Sequence, residues 1–282
     1  MKNNIYISTG GFKEPAFRII KKLYRSGIKN IELSGGAYSN NNFSEILKLQ
    51  KVINMRLHNY FPPPKIPFVL NAASSNEAIL NKSMKHIFNS INLANKIKSK
   101  YYSFHAGFLL DPKVDRLGKK FDISKLQNRK NCMENFKNNV LKISEYAKSK
   151  NILILIENNV VTKKNFQLFG TNPFLLSNPS EITKFFLKAP KNVKLLMDVG
   201  HLKVSSKTEN FSKIEAIKKL KQFIGCYHFS ENDSLSDSNK PFNKKSWFLN
   251  YIKKNLDYYT IEVYSKSHRV LKNQLNIIKQ HI

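Results

Sequence analysis

Acidic residues are scarce in this chain: 19 Asp and Glu stand against 48 Lys and Arg, a formal net charge of +29 over 282 residues. Cysteine is scarcer still. Cys132 and Cys226 are the only two, too few for a disulfide framework, and neither belongs to a CxxC pattern. A reducing compartment is the simpler reading. Cys226 lies close to His228, but a small buried apolar filler is preferred over a metal neighbour. The opening run, MKNNIYISTGGF, lacks the apolar stretch of a signal peptide. No apolar run approaches the ~20 residues needed to span a bilayer. A soluble, cytoplasmic protein with no membrane partner is expected. Also missing are a GxGxxG fingerprint after the first strand-like run, a P-loop-like segment, an internal repeat and a linker that would divide the chain.

The positive excess attracts polyanions, which keeps nucleic acid and phosphorylated substrates in view. Yet the lysines are scattered, mostly over helical segments such as KIEAIKKLKQF. Asn and Ile are abundant and Arg is scarce. A bias toward Lys, Asn and Ile accounts for this without a polyanion, and nucleic acid is the disfavoured partner.

What is present is an alternation. Strand-like runs occupy residues 5–9, 30–34, 68–72, 101–105, 152–158, 193–198, 224–229 and 259–263. They are nearly continuous in Ile, Leu, Val, Phe and Tyr, as in strands covered on both faces. Amphipathic stretches cover 14–26, 76–98, 131–148, 211–220, 245–253 and 267–280. Asn178-Pro179-Ser180-Glu181 reads as a helix cap with proline in the first turn. Eight strand–helix units predict an α/β fold, a single (β/α)8 TIM barrel over residues 1–282, close to the ~250 residues typical of that fold. Two long connections, 108–126 and 230–246, then fall at the catalytic end. Phe242 and Trp247 follow the second; packing between helix and barrel is preferred over a pocket wall.

The strand ends carry the chemistry. ILILIENN delivers Glu157, LLMDVGH delivers Asp198 and His201, YHFSEND delivers His228, and TIEVY delivers Glu262. In a parallel barrel these positions converge on one mouth. Clustered carboxylates must share protons or hold a cation. Four in succession are hard to explain as structure, because each buried charge needs its own partner. Glu157, Asp198, His228 and Glu262 are therefore the candidate metal ligands. An oxygen-rich set with one nitrogen suits one divalent ion, Mn, Mg, Co or Zn, without choosing among them. Glu157 and Glu262 are also the candidate catalytic acid and base. His201, three residues after Asp198, and His105, in YYSFHAGF, are candidate substrate-binding groups. Glu32 either orients another group or pairs with a lysine.

This constellation resembles the xylose isomerase-like barrels, a superfamily of sugar epimerases, hydroxypyruvate and inosose enzymes and the endonuclease IV nucleases. The resemblance follows the element order over nearly the whole chain and is strongest from residue 152 to 264. In the ketose epimerase branch a Glu, Asp, His, Glu set from strands five to eight holds the metal, which here falls on Glu157, Asp198, His228 and Glu262. Asp198 and His201 match the DxxH pattern. The endonuclease IV branch holds three zinc ions with further ligands. His105 matches one of these. The strand-three histidine has no counterpart in the expected third strand, FVLNAASS, and Asp237-Ser238-Asn239 carries Asn in place of the second histidine of Asp-x-His. The resemblance thus implies a one-metal isomerase or epimerase of a sugar or sugar phosphate, working through an enediolate. An abasic-site zinc phosphodiesterase, a keto-polyol dehydratase and a sugar-binding barrel without activity are the alternatives. A homo-oligomer is left open.

Overall fold

Every strand of the chain keeps one file of side chains facing inward and one facing outward, and this alternation builds both the core and the site. The computed structural model describes residues 4–114 and 126–282. Most of the 108–126 connection therefore lies outside the described residues. Eight parallel strands close into a barrel in sequence order: β1 (Asn4–Ser8), β2 (Asn30–Leu33), β3 (Asn54–His58), β4 (Tyr101–His105), β5 (Leu153–Glu157), β6 (Val193–Asp198), β7 (Ile224–Phe229) and β8 (Tyr258–Ile261). The helices are α1 (Ala16–Arg25), α2 (Asn42–Leu49), α3 (Glu77–Lys96), α4 (Arg129–Lys148), α5 (Lys163–Phe169), α6 (Pro179–Phe186), α7 (Val199–Glu209), α8 (Lys213–Leu220) and α9 (His268–Lys279). The single (β/α)8 TIM barrel expected from the alternation is the observed fold. None of these helices is long and apolar enough to cross a membrane.

Outward residues such as Ile154, Ile156, Leu195, Met197, Tyr227 and Phe229 join the main core, together with Ile19 and Leu23 of α1 and Ile87 and Ile91 of α3. Each such buried side chain contributes about 1.5–3 kcal/mol. Inward residues Leu155, Leu196 and Cys226 fill the barrel with Tyr6, Tyr101 and Tyr258. Cys226 is thus the apolar filler expected of it. The Arg56 guanidinium lies 5.1, 5.4 and 5.5 Å from the ring centroids of Tyr6, Tyr101 and Tyr258. Two residues further along, the same inward files turn polar: His58 after Arg56, Glu157 after Leu155, Asp198 after Leu196, His228 after Cys226.

The third strand is not where continuous apolarity places it. Residues 68–72 form no strand. Val69, Leu70 and Ala72 are buried, so the apolar signal is genuine, but it belongs to the long link from β3 to α3. Pro62, Pro63, Pro64 and Pro67 precede this run and have no N–H to offer a ladder. Its own N–H groups go to side chains: Phe68 donates to the Tyr60 hydroxyl and Asn71 to Ser83 Oγ. The true β3 reads NMRLH, paired with β2 and β4. Only Met55 and Leu57 are apolar, both outward, so no continuous run announces it.

Three helices, α2, α5 and α7, also went unforeseen. The 245–253 stretch winds only one 3-10 turn, Leu249–Tyr251. Its apolar residues come as adjacent Trp247, Phe248 and Leu249, which no single helix face can bury. Phe248 stacks on Phe229 and meets Phe242 edge-on, the packing use expected of that aromatic group. The Asn178 cap is as read: its side chain accepts from the Glu181 N–H, with Pro179 opening α6.

Candidate metal centre and cavity

The carboxyl ends of β5, β6 and β7, and the residue just past β8, bring four side chains together. One ligand atom from each of Glu157, Asp198, His228 and Glu262 lies within 4.8 Å of the others, and all four residues are buried. Ladder register explains the convergence. His105 is level with Glu157, and Asp198 with His228, while the Glu262 N–H reaches the Phe229 carbonyl.

Asp198 does two jobs. It is the N-cap of α7, where Oδ1 accepts the His201 N–H at 2.6 Å. This fixes the three-residue spacing: the cap binds the backbone of the third helical residue, and that residue's side chain then sits at the mouth. Gly200 lies between them because a Cβ there would meet Ser230 Oγ at 2.6 Å. Asn158 clamps the neighbouring strand end, accepting the Asp198 N–H and donating to the Asp198 carbonyl.

Among the described residues the other oxygen, Asp198 Oδ2, is buried without a hydrogen-bond partner, as are both carboxylate oxygens of Glu157 and both ring nitrogens of His228. His228 Nε2 is 2.8 Å from Glu32 Oε1 and Nδ1 is 2.8 Å from Glu262 Oε2. Those contacts are close but off the hydrogen-bonding line. Glu32 is itself held through Oε2 by the Thr260 hydroxyl at 3.0 Å. Among the described residues no lysine pairs with it.

Burial pushes the Asp198 carboxyl up to about 7, only partly opposed by His201. Burial also opposes ionisation of Glu157, but His105, His228 and His58 outweigh it and hold that carboxyl well below its ordinary range. Burial disfavours the His228 cation as well, yet Glu32, Glu262 and Glu157 keep its pKa well raised. Orphaned oxygens, an orphaned imidazole and a carboxyl forced upward form a donor set that a cation would satisfy. Opposite ligands of an ion with bonds of ~2.1 Å lie ~4.2 Å apart, so the cluster fits a divalent metal with little contraction.

His201 is buried; its Nδ1 donates to the Asn158 carbonyl at 2.8 Å and its Nε2 faces Asp237 Oδ2 at 3.2 Å. His105 is partly exposed, with Nδ1 3.3 Å from Glu157 Oε2. His105, His201 and Glu262 also line a cavity of about 780 Å³ at the barrel mouth.

One residue of this centre escaped the sequence reading. His58 ends β3, Nε2 3.2 Å from Glu157 Oε2, and groups with His105 and Glu157 as a second set of metal-compatible atoms. The histidine held to be missing from strand three is therefore present, ten residues before the run mistaken for that strand. The signal was there as NMRLH, an alternating strand ending in an inward histidine.

No match was found among curated protein sequences. Solved structures share the fold at low identity. A D-tagatose 3-epimerase-like protein superposes with a TM-score of 0.72 at 18% identity, covering 98% of each chain. D-psicose 3-epimerase from Clostridium cellulolyticum H10, solved with D-tagatose, gives 0.68 at 13% identity over 99% of each chain. A 3-keto-D-glucoside 4-epimerase from E. coli gives 0.69 at 11% identity, covering 99% of this chain and all of its own. With the model of the xylose isomerase-like TIM barrel family matching residues 20–264, the greater part of its length, the chain belongs to that family.

Proposed function

We propose that this protein is a divalent-metal-dependent isomerase or epimerase of a keto-sugar. The carrying observation is the buried set of Glu157, Asp198, His228 and Glu262, the first three with orphaned ligand atoms and Glu262 opening onto the cavity of about 780 Å³. Structural neighbours named as sugar epimerases support the same reading.

Those four residues would hold the ion. A divalent metal there supplies positive charge beside adjacent substrate oxygens, where negative charge develops as a proton leaves the neighbouring carbon. One of Glu157 and Glu262 removes that proton, giving an enediolate of the sugar. The other returns a proton on the opposite face or at the next carbon. The Asn158 carbonyl fixes the His201 ring through Nδ1, and Nε2, which faces Asp237, donates to a substrate oxygen in exchange for that contact. His105 contacts the sugar from the β4 side. The test is exchange of solvent deuterium into ketohexoses by metal-loaded protein. Exchange at carbon next to the carbonyl is expected; its absence from every sugar tried removes the reading.

His58 favours a second reading. The Ser103 hydroxyl donates to the Leu57 carbonyl at 3.4 Å, so it accepts from His58 Nδ1 at 2.9 Å; this assignment comes from the bonding network. Burial lowers the His58 pKa to about 3, so the ring is neutral and turns the Nε2 lone pair toward Glu157. A second cation relieves that contact. A multi-zinc phosphodiesterase acting on abasic DNA would use such a site. Asn239, in place of the branch's second histidine, weighs against it. Elemental analysis decides: one metal per chain supports the isomerase, three the nuclease.

Glu32 should act on the metal through His228. A carboxylate behind a ligating imidazole raises its basicity and fixes its ring, and its loss typically weakens metal affinity 10–100-fold. Glu32→Gln is expected to do so in a competitive chelator titration, with the circular dichroism spectrum retained. Unchanged affinity would leave Glu32 as packing only.

A further inference from the structure

The amino ends of the strands, opposite the proposed metal centre, hold a second cavity of about 700 Å³. Its wall comes from the link into β3, the starts of β3 and β4, and the residues leading into β8. Four cations line it, Lys51, Arg56, Lys98 and Lys100, beside one acid, Asp257. The three lysines are exposed, and on a chain of this charge they would mean little alone. Arg56 is the unusual member. It points into the barrel from the middle of β3 and is only partly exposed.

A guanidinium in such a place ordinarily has a carboxylate against it, because an unpaired charge is costly to bury. Among the described residues Arg56 has none. Glu32 is level with it on β2, but the Glu32 oxygens face His228 Nε2 and the Thr260 hydroxyl. Asp257 accepts the Tyr101 hydroxyl. The three residues ahead of β1 are Met, Lys and Asn, none acidic. The guanidinium is held instead by the rings of Tyr6, Tyr101 and Tyr258, which attract the cation but leave its five N–H donors unmet. Nη1 makes two long contacts, 3.4 Å to the Met55 carbonyl and 3.5 Å to Ser99 Oγ. Nε is buried with no partner, and Nη2 has none among the described residues. Gln50 Oε1, in the same wall, is likewise buried and unpartnered.

We infer that this cavity is a second ligand site, which takes a small phosphate monoester: the phosphate on Arg56 with Lys98 and Lys100, the neutral polar body toward Gln50 and Asn54. A phosphate brings close to two negative charges and three acceptor oxygens, enough to serve several cations at once. A carboxylate brings one charge and two oxygens. The planar fork of Arg56 binds two phosphate oxygens together, while the lysines add charge on flexible stems. The volume falls within the ~300–1,000 Å³ of small-molecule sites, more than a bare phosphate fills. The ligand is therefore a phosphorylated small molecule rather than the free ion. The site stands independently of the isomerase reading.

The test is isothermal titration of the metal-loaded protein with adenosine monophosphate, glycerol 3-phosphate and inorganic phosphate, with adenosine as the neutral control. Salt at about 150 mM screens the exposed charges. At least one of the two esters should bind more tightly than inorganic phosphate, and adenosine should not bind. Arg56→Gln should weaken ester binding at least about tenfold, the worth of a hydrogen-bonded charge. The exposed pair Lys98→Gln with Lys100→Gln should weaken it about threefold, and this pair keeps the result readable if Arg56→Gln does not fold. A matched exposed pair on α3, Lys82→Gln with Lys85→Gln, should change nothing. Asp198→Asn, which removes a proposed metal ligand, should bind as the native protein does. Neither ester bound, inorganic phosphate as tight as both, or adenosine as tight as its monophosphate overturns the site. So does full binding in the cavity variants, or equal loss in the α3 pair. Loss in Asp198→Asn also overturns it and assigns the anion to the metal. None of these outcomes touches the isomerase reading.

Discussion

Glu157→Gln and Glu262→Gln are each expected to lower the rate of proton exchange on a keto-sugar by about 10²- to 10⁴-fold, the usual contribution of a positioned acid or base. Gln keeps the volume of Glu and removes only the ability to take up a proton and the negative charge. The two positions should differ in what else is lost. Glu157 is fully buried among His58, His105, His201 and His228, so its carboxylate also neutralises its surroundings. Removing one partner of a buried charge pair typically costs 3–5 kcal/mol, and Glu157→Gln should melt earlier as well as turn over more slowly. Glu262 opens onto the cavity and stands 2.8 Å from His228. Glu262→Gln should retain more stability while losing as much activity. Stopped-flow or NMR exchange rates, read beside thermal melts and metal content, separate these effects. Full activity in either variant with metal bound would remove both glutamates' assigned role.

The barrel and the four-residue set could be read in advance because both depend on features that a one-dimensional pattern keeps. A strand covered on both faces is apolar throughout, and a polar group at its carboxyl end breaks that run visibly: ILILIENN and LLMDVGH show Glu157 and Asp198 without ambiguity. β3 breaks the rule because its inward file is polar from end to end. Asn54, Arg56 and His58 point into the barrel, Arg56 against three tyrosine rings and His58 against Glu157. Such a strand alternates, and the stronger apolar run at 68–72 displaced it. The displacement carried over to function. With β3 displaced, His58 drops out of the centre, and with it the group that sits beside His105 and Glu157 as a second metal-compatible set. What could not be read is pairwise geometry across distant segments. Glu32 and His228 are 196 positions apart, and nothing local in IELS or YHFS announces that their side chains meet.

Removing the metal should destabilise the protein strongly, and more so at higher pH. An ion held at a thousandfold excess over its Kd stabilises the folded state by about 4 kcal/mol. For a chain of this size each kcal/mol moves Tm by roughly 2–4 °C, so a chelator such as EDTA should lower Tm by about 8–16 °C. The pH dependence follows from Asp198. Burial raises its folded-state carboxyl from 3.8 to about 7. In metal-free protein the folded state then holds a proton that the unfolded chain releases near pH 4. That contribution is fully present below pH 4 and is lost as pH rises through 7. With metal bound the sign reverses, because the ion takes the deprotonated carboxylate and protons compete with it. The gap in Tm between metal-loaded and chelated protein should therefore widen steadily from pH 5 to pH 8. Differential scanning calorimetry at matched ionic strength measures it. A gap that is constant across this range would detach Asp198 from the metal, and no gap at all would remove the metal centre. A gap that widens in the native protein and disappears in Asp198→Asn would tie the ion to the oxygen that the α7 cap leaves free.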